Sequence, residues 1–494
     1  MARFDFIVLG AGPAGRRAAI QAAKLGKSVV VVDDRAKVGG VSVHTGTIPS
    51  KTLRETALNL SGWRERAFYG QGYRTRSTIC SDDLDQRIGK TFDYEVAVLE
   101  HQFARNGVQT IAGRGYFKGP NQIAIKRDLG GSEIEEVIEG EKILISVGTR
   151  PYRPAHIPFN TTNVFDSDSF ILQPQMPSSL TVVGGGVIGL EYATIFSALD
   201  IPVTLIEPNE QLLPFMDKEI VDHLVQSMRE RGMVLRLGCS LSYVHFSENG
   251  DPICQLADGR LIGSKMVLFA AGREGSTSSL NLEACGLEAD SRGRLEVDRT
   301  TFQTSNPHIY AAGDVIGFPS LASTSMEQGR AVACHAFGKA IAADDQKPPY
   351  GVYAVPELSS VGMTEDDARE AGIPYECGIA RFKETSRGHI MGLEAGILKL
   401  ICHRETRKLI GVHVVGEGAS ELVHIGQAVL NLGGTIDYFV ENSFNYPTLA
   451  EGYKVAALDL WNRLQVTPAD EKAEAKAPKT AHKKTRKRTK KKAA

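Results

Sequence analysis

Two stretches of the chain share one pattern of apolar and polar positions. In the first stretch, an apolar run from Phe4 to Leu9 leads into glycines, then an alanine-rich segment, and then a strand pattern from Ser28 to Val32. Apolar runs of this length between glycines and acidic residues are typical of strands buried on both faces, and the segment between them predicts a helix. The pattern therefore predicts a βαβ unit with two parallel strands.

The same order of strand, glycines, helix and strand recurs from Leu180 to Glu207. Each unit has the spacing G-x-G-x-x-G after its first strand and an acidic residue 23 positions after the first glycine. These residues are Gly10, Gly12, Gly15 and Asp33 in the first unit, and Gly184, Gly186, Gly189 and Glu207 in the second. The repeat predicts two sites of one type.

This spacing is typical of dinucleotide binding. The first glycine permits a tight turn, the second lets the backbone approach a pyrophosphate at the helix N-terminus, and the third allows close helix packing. The acid after the second strand accepts hydrogen bonds from ribose hydroxyls. At the second site a carboxylate at Glu207 favours a ribose diol and repels a 2′-phosphate, which predicts a preference for NAD(H) over NADP(H).

A third motif, TSNPHIYAAGDVIG, ends a strand pattern at Gly313 and Asp314. It resembles the second FAD fingerprint of flavoproteins with two dinucleotide-binding domains, in which the acid binds the ribityl chain. The order of the motifs then assigns FAD to the first site and NAD(P) to the second. Gly148 in SVGTRPYRP and Gly272 in AAGRE are assigned to cofactor binding with them.

The composition predicts neither a membrane span nor a metal site. The 494 residues suffice for three or more domains and contain no run of 18 uncharged apolar residues. The first ten residues enter a strand pattern rather than a signal peptide, so a cytoplasmic location is expected. The seven cysteines form no C-x-x-C pair and no cluster with histidine, so neither metal binding nor a redox pair is indicated.

The net charge of −1 hides a strong asymmetry along the chain. Residues 466–494 contain 11 Lys or Arg and 3 Asp or Glu, giving +8, and the rest of the chain has a net charge of −9. A segment this polar cannot bury apolar surface, so it is expected to be disordered. It would either hold a polyanion such as nucleic acid through phosphate contacts or serve only as a solubilising tail.

Taken in order, these motifs resemble those of the pyridine nucleotide-disulfide oxidoreductases. The similarity runs from Phe4 to about Leu464 and includes YAVPELSSVGMTEDDA and GVHVVGEGASELVHIGQAVL, which are similar to the family's dimerisation domain. The resemblance implies an α/β fold with two Rossmann-like dinucleotide-binding domains, for FAD and NAD(P), a C-terminal α+β dimerisation domain, and a homodimer or higher oligomer. The expected boundaries are 1–150 and 271–345 for the FAD domain, 151–270 for the NAD(P) domain, 346–465 for the dimerisation domain and 466–494 for the tail.

The resemblance also shows what the chain lacks. Disulfide reductases of the family carry Cys-x4-Cys in the stretch that here reads GGVSVHTGTIPSK, and the two positions hold Ser42 and Thr47. A hydroxyl forms no disulfide and cannot relay electrons as a thiol pair does. The family's His-Pro-Thr, which acts as acid and base on the partner subunit's thiols, reads NYPTLAE here, with Tyr446 replacing the histidine and Glu451 retained. A phenol with an ordinary pKa of about 10 is a poor base at neutral pH, so the disulfide half-reaction is expected to be lost.

The nicotinamide side of the resemblance is complete. Lys51, from IPSK, matches the family's lysine near the flavin, and Glu191, from GVIGLE, matches its ion-pair partner. These two residues are predicted to be the catalytic pair, stabilising the reduced flavin and ordering the nicotinamide pocket. Tyr446 is expected to fill the former thiol-side cavity of the neighbouring subunit.

Within the family, the segments GTIPSK, GDVIGFPSLAS and FNYPTLAE are similar to those of members that transfer hydride between NAD(H) and NADP(H) through FAD. That activity is the function expected here, although such members usually keep a cysteine where this chain has Ser42. One alternative is an NADH-dependent diaphorase that reduces a quinone or another acceptor, which Glu207 favours. A second alternative is a non-catalytic flavoprotein scaffold, against which the retention of Lys51 and Glu191 argues.

Overall fold

The computed structural model describes residues 1–128, 133–171, 175–340 and 348–465. The basic segment 466–494 lies outside these residues. Within them the chain forms 22 strands. The strands are β1 (Ala2–Leu9), β2 (Val29–Asp33), β3 (Gln109–Ala112), β4 (Arg114–Gly119), β5 (Gln122–Asp128), β6 (Glu133–Ile145), β7 (Thr149–Pro151), β8 (Val164–Asp166), β9 (Leu180–Val183), β10 (Val203–Glu207), β11 (Val234–Leu237), β12 (Leu241–Phe246), β13 (Pro252–Leu256), β14 (Leu261–Gly263), β15 (Met266–Phe269), β16 (Arg273–Gly275), β17 (Ile309–Ala311), β18 (Tyr350–Val352), β19 (Leu358–Gly362), β20 (Tyr375–Arg381), β21 (Ile397–His403) and β22 (Leu409–Val415).

The described residues also form 14 α-helices and four short 3₁₀ turns. The helices are α1 (Pro13–Lys24), α2 (Val41–His44), α3 (Thr47–Leu60), α4 (Arg66–Tyr69), α5 (Ser81–Arg105), α6 (Ser167–Phe170), α7 (Val187–Ala198), α8 (Lys218–Glu230), α9 (Ala322–Ala336), α10 (Glu365–Glu370), α11 (Ser386–Met391), α12 (Ala419–Asn431), α13 (Asp437–Glu441) and α14 (Glu451–Gln465). No helix in the described part of the chain is both long enough and apolar enough to cross a membrane.

The first sheet has the strand order β3-β2-β1-β6-β5-β4 and combines parallel with antiparallel pairing. Strands β1, β2, β3 and the second half of β6 are parallel, whereas β4 and β5 form an antiparallel extension. Strand β17 also pairs with β6 in parallel, so the chain returns to this sheet more than 160 residues after β6 ends. Helices α1 and α9 cover one face of the sheet, where Phe6, Val8 and Val31 are buried.

The second sheet is fully parallel, in the order β11-β10-β9-β15-β8. Its strands are almost continuously apolar, as expected for strands covered on both faces. Helix α7 packs against it with ten of its twelve residues buried, which explains why its sequence shows little amphipathic alternation. A small antiparallel sheet, β12-β13-β14, lies between β11 and β15 in the sequence.

The C-terminal part is an antiparallel sheet, in the order β18-β19-β22-β21-β20, with helices α12 and α14 packed against it. A separate two-stranded ribbon, β7 with β16, connects the first two sheets: its strands follow β6 and β15. The architecture confirms the predicted fold class, which combines two units built on parallel sheets with a C-terminal α+β unit. The exact domain boundaries stay a prediction.

Candidate functional site

The glycine loop between β1 and α1 needs glycine for two separate physical reasons. Gly10 has φ +100°, and a Cβ there would lie 2.4 Å from the carbonyl oxygen of Ser146. A Cβ on Gly15 would lie 1.9 Å from the carbonyl oxygen of Gly10, so α1 approaches the end of β1 more closely than any side chain would allow. The loop therefore presses the first turn of α1 against the carboxyl end of the sheet.

The loop between β9 and α7 repeats this geometry. A Cβ on Gly184 would lie 2.6 Å from the carbonyl oxygen of Ala270, and one on Gly189 would lie 1.9 Å from the carbonyl oxygen of Gly184. The two loops belong to different sheets, yet the helix approaches the strand to the same distance in both. The structure thus places all the predicted fingerprint glycines in two equivalent turns.

The N-termini of α1 and α7 are left free to bind an anion. Gly12 and Gly186 are the N-cap residues, and neither helix has a side-chain cap. A Cβ on Gly186 would meet no atom within 4 Å, and one on Gly12 would meet only the Cα of Gly40, at 4.0 Å. Uncapped N–H groups at the positive end of a helix, beside open space, suit the pyrophosphate of a dinucleotide. These residues fit the pyrophosphate of a dinucleotide, FAD or NAD(P)(H), at each loop.

The two predicted acids lie at the ends of β2 and β10, each hydrogen-bonded to its own glycine loop. Asp33 Oδ2 accepts a hydrogen bond from the backbone N–H of Ala11 at 2.6 Å, and Glu207 Oε2 accepts one from Gly185 at 2.5 Å. Burial raises the pKa of Asp33, although the N–H groups of Ala11 and Arg35 partly offset this effect. Each carboxylate therefore closes the turn beside which a ribose would bind.

The Gly313–Asp314 motif follows β17 directly, at the same edge of the first sheet as Gly10. Gly313 has φ +82° and donates its N–H to Gln328 Oε1 at 2.8 Å. Burial raises the pKa of Asp314, and the charge of Arg273 opposes this rise. Gly148 and Gly272 also have positive φ, with no atom within 4 Å of a Cβ built on either, so both remain available for close approach of a ligand.

Lys51 and Glu191 form an ion pair that connects α3 to α7, the helix packed on the second sheet. Lys51 Nζ in α3 lies 2.7 Å from Oε1 and 2.6 Å from Oε2 of Glu191 in α7. Glu191 is 4% exposed, whereas the Lys51 side chain is 25% exposed. Lys51 also lines a cavity of about 720 Å³, so its ammonium group is held by a buried partner yet remains reachable.

Tyr353, a residue that the sequence did not single out, completes this pair. Its backbone N–H donates to Glu191 Oε1 at 3.0 Å, and its ring centroid lies 4.8 Å from Lys51 Nζ. An aromatic face at this distance attracts an ammonium group. Tyr353 begins the segment YAVPELSSVGMTEDDA, but nothing in that segment indicates its partners, which lie more than 150 residues away in the sequence.

Ser42 and Thr47, at the positions of the family's two cysteines, differ in their surroundings. Ser42 is buried in α2 and donates to the carbonyl oxygen of Gly39 at 2.9 Å, while Thr47 is exposed at the start of α3. Tyr446 is 64% exposed and its hydroxyl lies 2.5 Å from Ser386 Oγ. Glu451 Oε2 is buried with no hydrogen-bond partner among the described residues. The seven cysteines are all free thiols.

A buried lysine, which the sequence analysis missed, joins the second sheet's unit to the C-terminal sheet. Lys399 in β21 is fully buried, and its Nζ lies 3.0 Å from both Asp217 Oδ1 and Glu219 Oε2 and also contacts Glu365. These three acidic residues are grouped closely enough to hold a cation, and the lysine ammonium occupies that position. The available signal was a lysine inside the apolar run ILKLICH, which indicates a paired charge but not its partners.

Comparison with known proteins places this geometry in one family. A family model described as pyridine nucleotide-disulphide oxidoreductase matches residues 4–329, and the model of that family's dimerisation domain matches residues 348–457. A protein of Mycobacterium tuberculosis named soluble pyridine nucleotide transhydrogenase is 45% identical over 465 residues, covering 94% of this chain and 98% of the relative. One of the same name from Marinomonas sp. is 42% identical, covering 93% of this chain and 99% of the relative.

Two solved structures share the fold along nearly their whole length. The HOCl-induced flavoprotein disulfide reductase RclA of Escherichia coli superposes with a TM-score of 0.82 at 26% identity, covering 92% of this chain and 99% of its own. LpdA of Mycobacterium tuberculosis superposes with a TM-score of 0.83 at 27% identity, covering 94% and 100%. The chain thus belongs to the pyridine nucleotide-disulfide oxidoreductases, as a flavoprotein oxidoreductase that uses FAD and NAD(P)(H) and carries the family's dimerisation domain.

Proposed function

We propose that the protein transfers hydride between NAD(H) and NADP(H), without a redox-active disulfide. The observation that carries the proposal is the contrast between the two sides of the candidate site. Lys51 and Glu191 keep a bidentate ion pair, while the two thiol positions hold Ser42 and Thr47. The relatives named soluble pyridine nucleotide transhydrogenase, at 40–45% identity, support this substrate pair.

The glycine loops and the acidic residues bind the cofactors, and the Lys51–Glu191 pair contributes electrostatic stabilisation. When bound, FAD supplies the chemistry by accepting a hydride from a reduced nicotinamide and returning it to an oxidised one. The N-termini of α1 and α7 bind the two pyrophosphates. Asp33 and Glu207 orient the adenosine riboses, and Asp314 binds the ribityl chain. Gly148 and Gly272 let the backbone approach the cofactors.

Once FAD is bound, Lys51 would supply the positive charge that favours reduction of the flavin. Glu191 fixes the ammonium group in one position, because both of its oxygens accept from Lys51 Nζ. Since Glu191 is itself held by the N–H of Tyr353, the charge is preorganised before a nucleotide binds.

The former thiol side supports the loss of disulfide chemistry. Glu451, which in the family orients the catalytic histidine, keeps a buried carboxylate oxygen without a partner in the described chain. Tyr446 is turned to Ser386 instead. We infer that the protein works as a homodimer in which the partner subunit's Tyr446 covers this side of the flavin, and that it is cytoplasmic.

The decisive experiment follows anaerobic flavin bleaching and hydride transfer in the purified yellow protein. NADH and NADPH should each bleach the flavin, and NADPH should reduce thio-NAD⁺ in steady state without any added thiol or disulfide. Lipoamide, glutathione disulfide and mercuric ion should not be turned over above the background of free flavin. Failure of NADPH to bleach the flavin at millimolar concentration would remove the proposal.

One observation favours a second candidate, an NADH-dependent diaphorase. Glu207 places a carboxylate at the second site, where it disfavours a 2′-phosphate. In that case only NADH would bleach the flavin, and a quinone would reoxidise it faster than NADP⁺ does. The same anaerobic titration therefore separates the two activities.

A further inference from the structure

The two acid-terminated strands offer an internal comparison of the two dinucleotide sites. In both sites, one carboxylate oxygen accepts from the glycine loop and the other accepts from the backbone N–H two residues after the acid. That residue is Arg35 in the first site and Asn209 in the second, and each N–H donates at 2.9 Å. The backbone arrangement is therefore equivalent, and differences between the sites come from side chains.

Only the second site adds a side-chain donor to this arrangement within the described residues. Asn209 Nδ2 donates to Glu207 Oε1 at 2.6 Å, so this carboxylate accepts three hydrogen bonds. Glu207 is 7% exposed, whereas Asn209 is exposed. At the end of β10 the amide of Asn209 is therefore the exposed group, and the carboxylate of Glu207 is buried and already accepts three hydrogen bonds.

The amide of Asn209 has one hydrogen to spare. A primary amide nitrogen carries two hydrogens, and one of them is directed at Glu207. The structure shows no acceptor for the other among the described residues. The nitrogen is thus able to bridge Glu207 and an anionic oxygen outside it.

We propose that Asn209 is the specificity-determining residue that allows the second site to accept NADP(H) as well as NAD(H). Its amide donates one hydrogen bond to the 2′-phosphate of NADP(H) and one to Glu207. The second hydrogen bond partly offsets the negative charge of Glu207 and so weakens its repulsion of the phosphate. With NAD(H), the same amide holds Glu207 in place to accept the ribose hydroxyls. This inference rests on the proposed transhydrogenase function, which requires one site to bind both nucleotides.

The experiment measures binding rather than turnover, on the FAD-loaded protein. Isothermal titration gives the dissociation constants of 5′-ADP and of 2′,5′-ADP. The ratio of the second constant to the first isolates the contribution of the 2′-phosphate. Asn209→Ala should raise this ratio about tenfold, because only the complex with 2′,5′-ADP loses the hydrogen bond between the amide and the charged 2′-phosphate. The affinity for 5′-ADP should change less. Asn209→Asp should raise the ratio further, since it adds a like charge.

Gln211→Ala is the matched control, because it removes the same amide chemistry two residues along the chain. It should leave both dissociation constants within about twofold of the wild type, a small change on the scale of one hydrogen bond. Glu207 is not a suitable target, since its carboxylate also holds Gly185 and its loss would disturb the glycine loop.

The inference fails if Asn209→Ala changes both dissociation constants equally, or if its ratio stays within twofold of the wild type. Its failure is distinguishable from failure of the proposed function. If NADPH bleaches the flavin of the wild type but Asn209→Ala leaves the ratio of dissociation constants unchanged, only the inference about Asn209 fails. If the wild type binds neither 2′,5′-ADP nor NADPH, the transhydrogenase function is lost with it.

Discussion

Lys51 and Glu191 stand 140 positions apart in the sequence and meet at hydrogen-bonding distance. Sequence pattern alone could not have joined them, because nothing in either local segment refers to the other. The family resemblance supplied the pair, and the structure adds the third contact, Tyr353. Asn209 and Lys399 were missed for the same reason: the importance of each depends on partners that only the folded chain brings close.

The first prediction concerns this pair. Lys51→Met should slow flavin reduction by NADH about 100-fold, because it removes a preorganised charge facing the site. Glu191→Gln should slow it less, and the double variant should be no slower than Lys51→Met, because the two residues act as one unit. Stopped-flow flavin bleaching at saturating NADH gives the three rates.

The control uses an exposed ion pair with the same distance between nitrogen and oxygen. Lys218 Nζ lies 2.6 Å from Asp222 Oδ2, but both side chains are about 60% exposed. Lys218→Met and Asp222→Asn should leave the bleaching rate unchanged, since exposed pairs contribute little. Additive losses at Lys51 and Glu191 would show instead that the two residues act independently.

At the scale of elements, the two βαβ units were predictable because their chemistry is local. The glycine spacing fixes how closely a helix approaches a strand, and in both units the acid is the last residue of the second strand. The antiparallel extension β4–β5 and the small sheet β12-β13-β14 carry no comparable motif, and the sequence analysis did not identify them. Long-range pairing such as β17 with β6 depends on topology, which local patterns do not encode.

A second prediction exploits the repeated loop. Gly15→Ala and Gly189→Ala introduce the same clash, since each Cβ would lie 1.9 Å from a carbonyl oxygen. Gly15→Ala should yield protein without FAD. Gly189→Ala should keep its FAD but lose bleaching by either nucleotide, because only the second helix N-terminus is displaced. Flavin content per chain and anaerobic bleaching are the two measurements.

Gly89→Ala provides the control for these variants. Gly89 lies inside α5 with no atom within 4 Å of a Cβ, and its φ is not positive. This substitution should leave both readouts intact and stabilise the helix by about 0.5–1 kcal/mol. Equal loss of FAD in Gly15→Ala and Gly189→Ala would mean that both loops serve the flavin.

At the scale of the whole molecule, Lys399 in the C-terminal sheet joins the second sheet's unit through Asp217 and Glu219, and it also contacts Glu365 of its own unit. Burial alone would lower the pKa of Lys399, but Asp217, Glu365 and Glu219 raise it. Burial alone would raise the pKa of Asp217, and His413 and Lys399 reverse this. Burial alone would also raise the pKa of Glu365, but its hydrogen bond and ion pair with Lys399 lower that pKa below its ordinary value. Because both carboxyl pKa values are lowered on folding, they stabilise the fold above about pH 4.5, and this stabilisation is lost as the pH falls further.

A third prediction follows from removing the cation. Lys399→Met leaves the buried carboxylate of Asp217 and the half-buried carboxylate of Glu365 without their cation, which should cost about 3–5 kcal/mol at neutral pH. Burial then raises their pKa values, so lowering the pH from 7.5 to 5 should recover part of the loss in the variant. The wild type should gain nothing from the same change at these carboxyl groups.

Melting temperatures of the FAD-loaded wild type and variant at the two pH values provide the test, because other pH effects cancel in the difference. Lys218→Met serves again as the exposed control. A difference in melting temperature that stays constant with pH would contradict the assignment of the cost to ionised Asp217 and Glu365.

The fourth prediction concerns residues 466–494, which carry +8. Removing them leaves a body of net charge −9, which should no longer bind heparin or DNA at low salt, because non-specific binding depends on phosphate neutralisation by lysine and arginine. Flavin content and the rate of hydride transfer should stay unchanged, since the candidate site lies within residues 1–465. Elution of both proteins from heparin at the same salt concentration would leave the tail with a solubilising role only.

The ribbon formed by β7 and β16 makes the segment between them exchangeable. Pro151 pairs with Arg273 across this antiparallel ribbon, so the chain enters and leaves the intervening segment at adjacent points. Opposite residues in such a ribbon lie about 4.5–5.5 Å apart, a gap that a two-residue turn closes. Two crossings of the chain at this ribbon are therefore enough to replace the intervening segment as a unit, provided that the new segment brings acidic partners for both Lys51 and Lys399. Nucleotide preference can therefore change while the first glycine loop and its sheet stay the same.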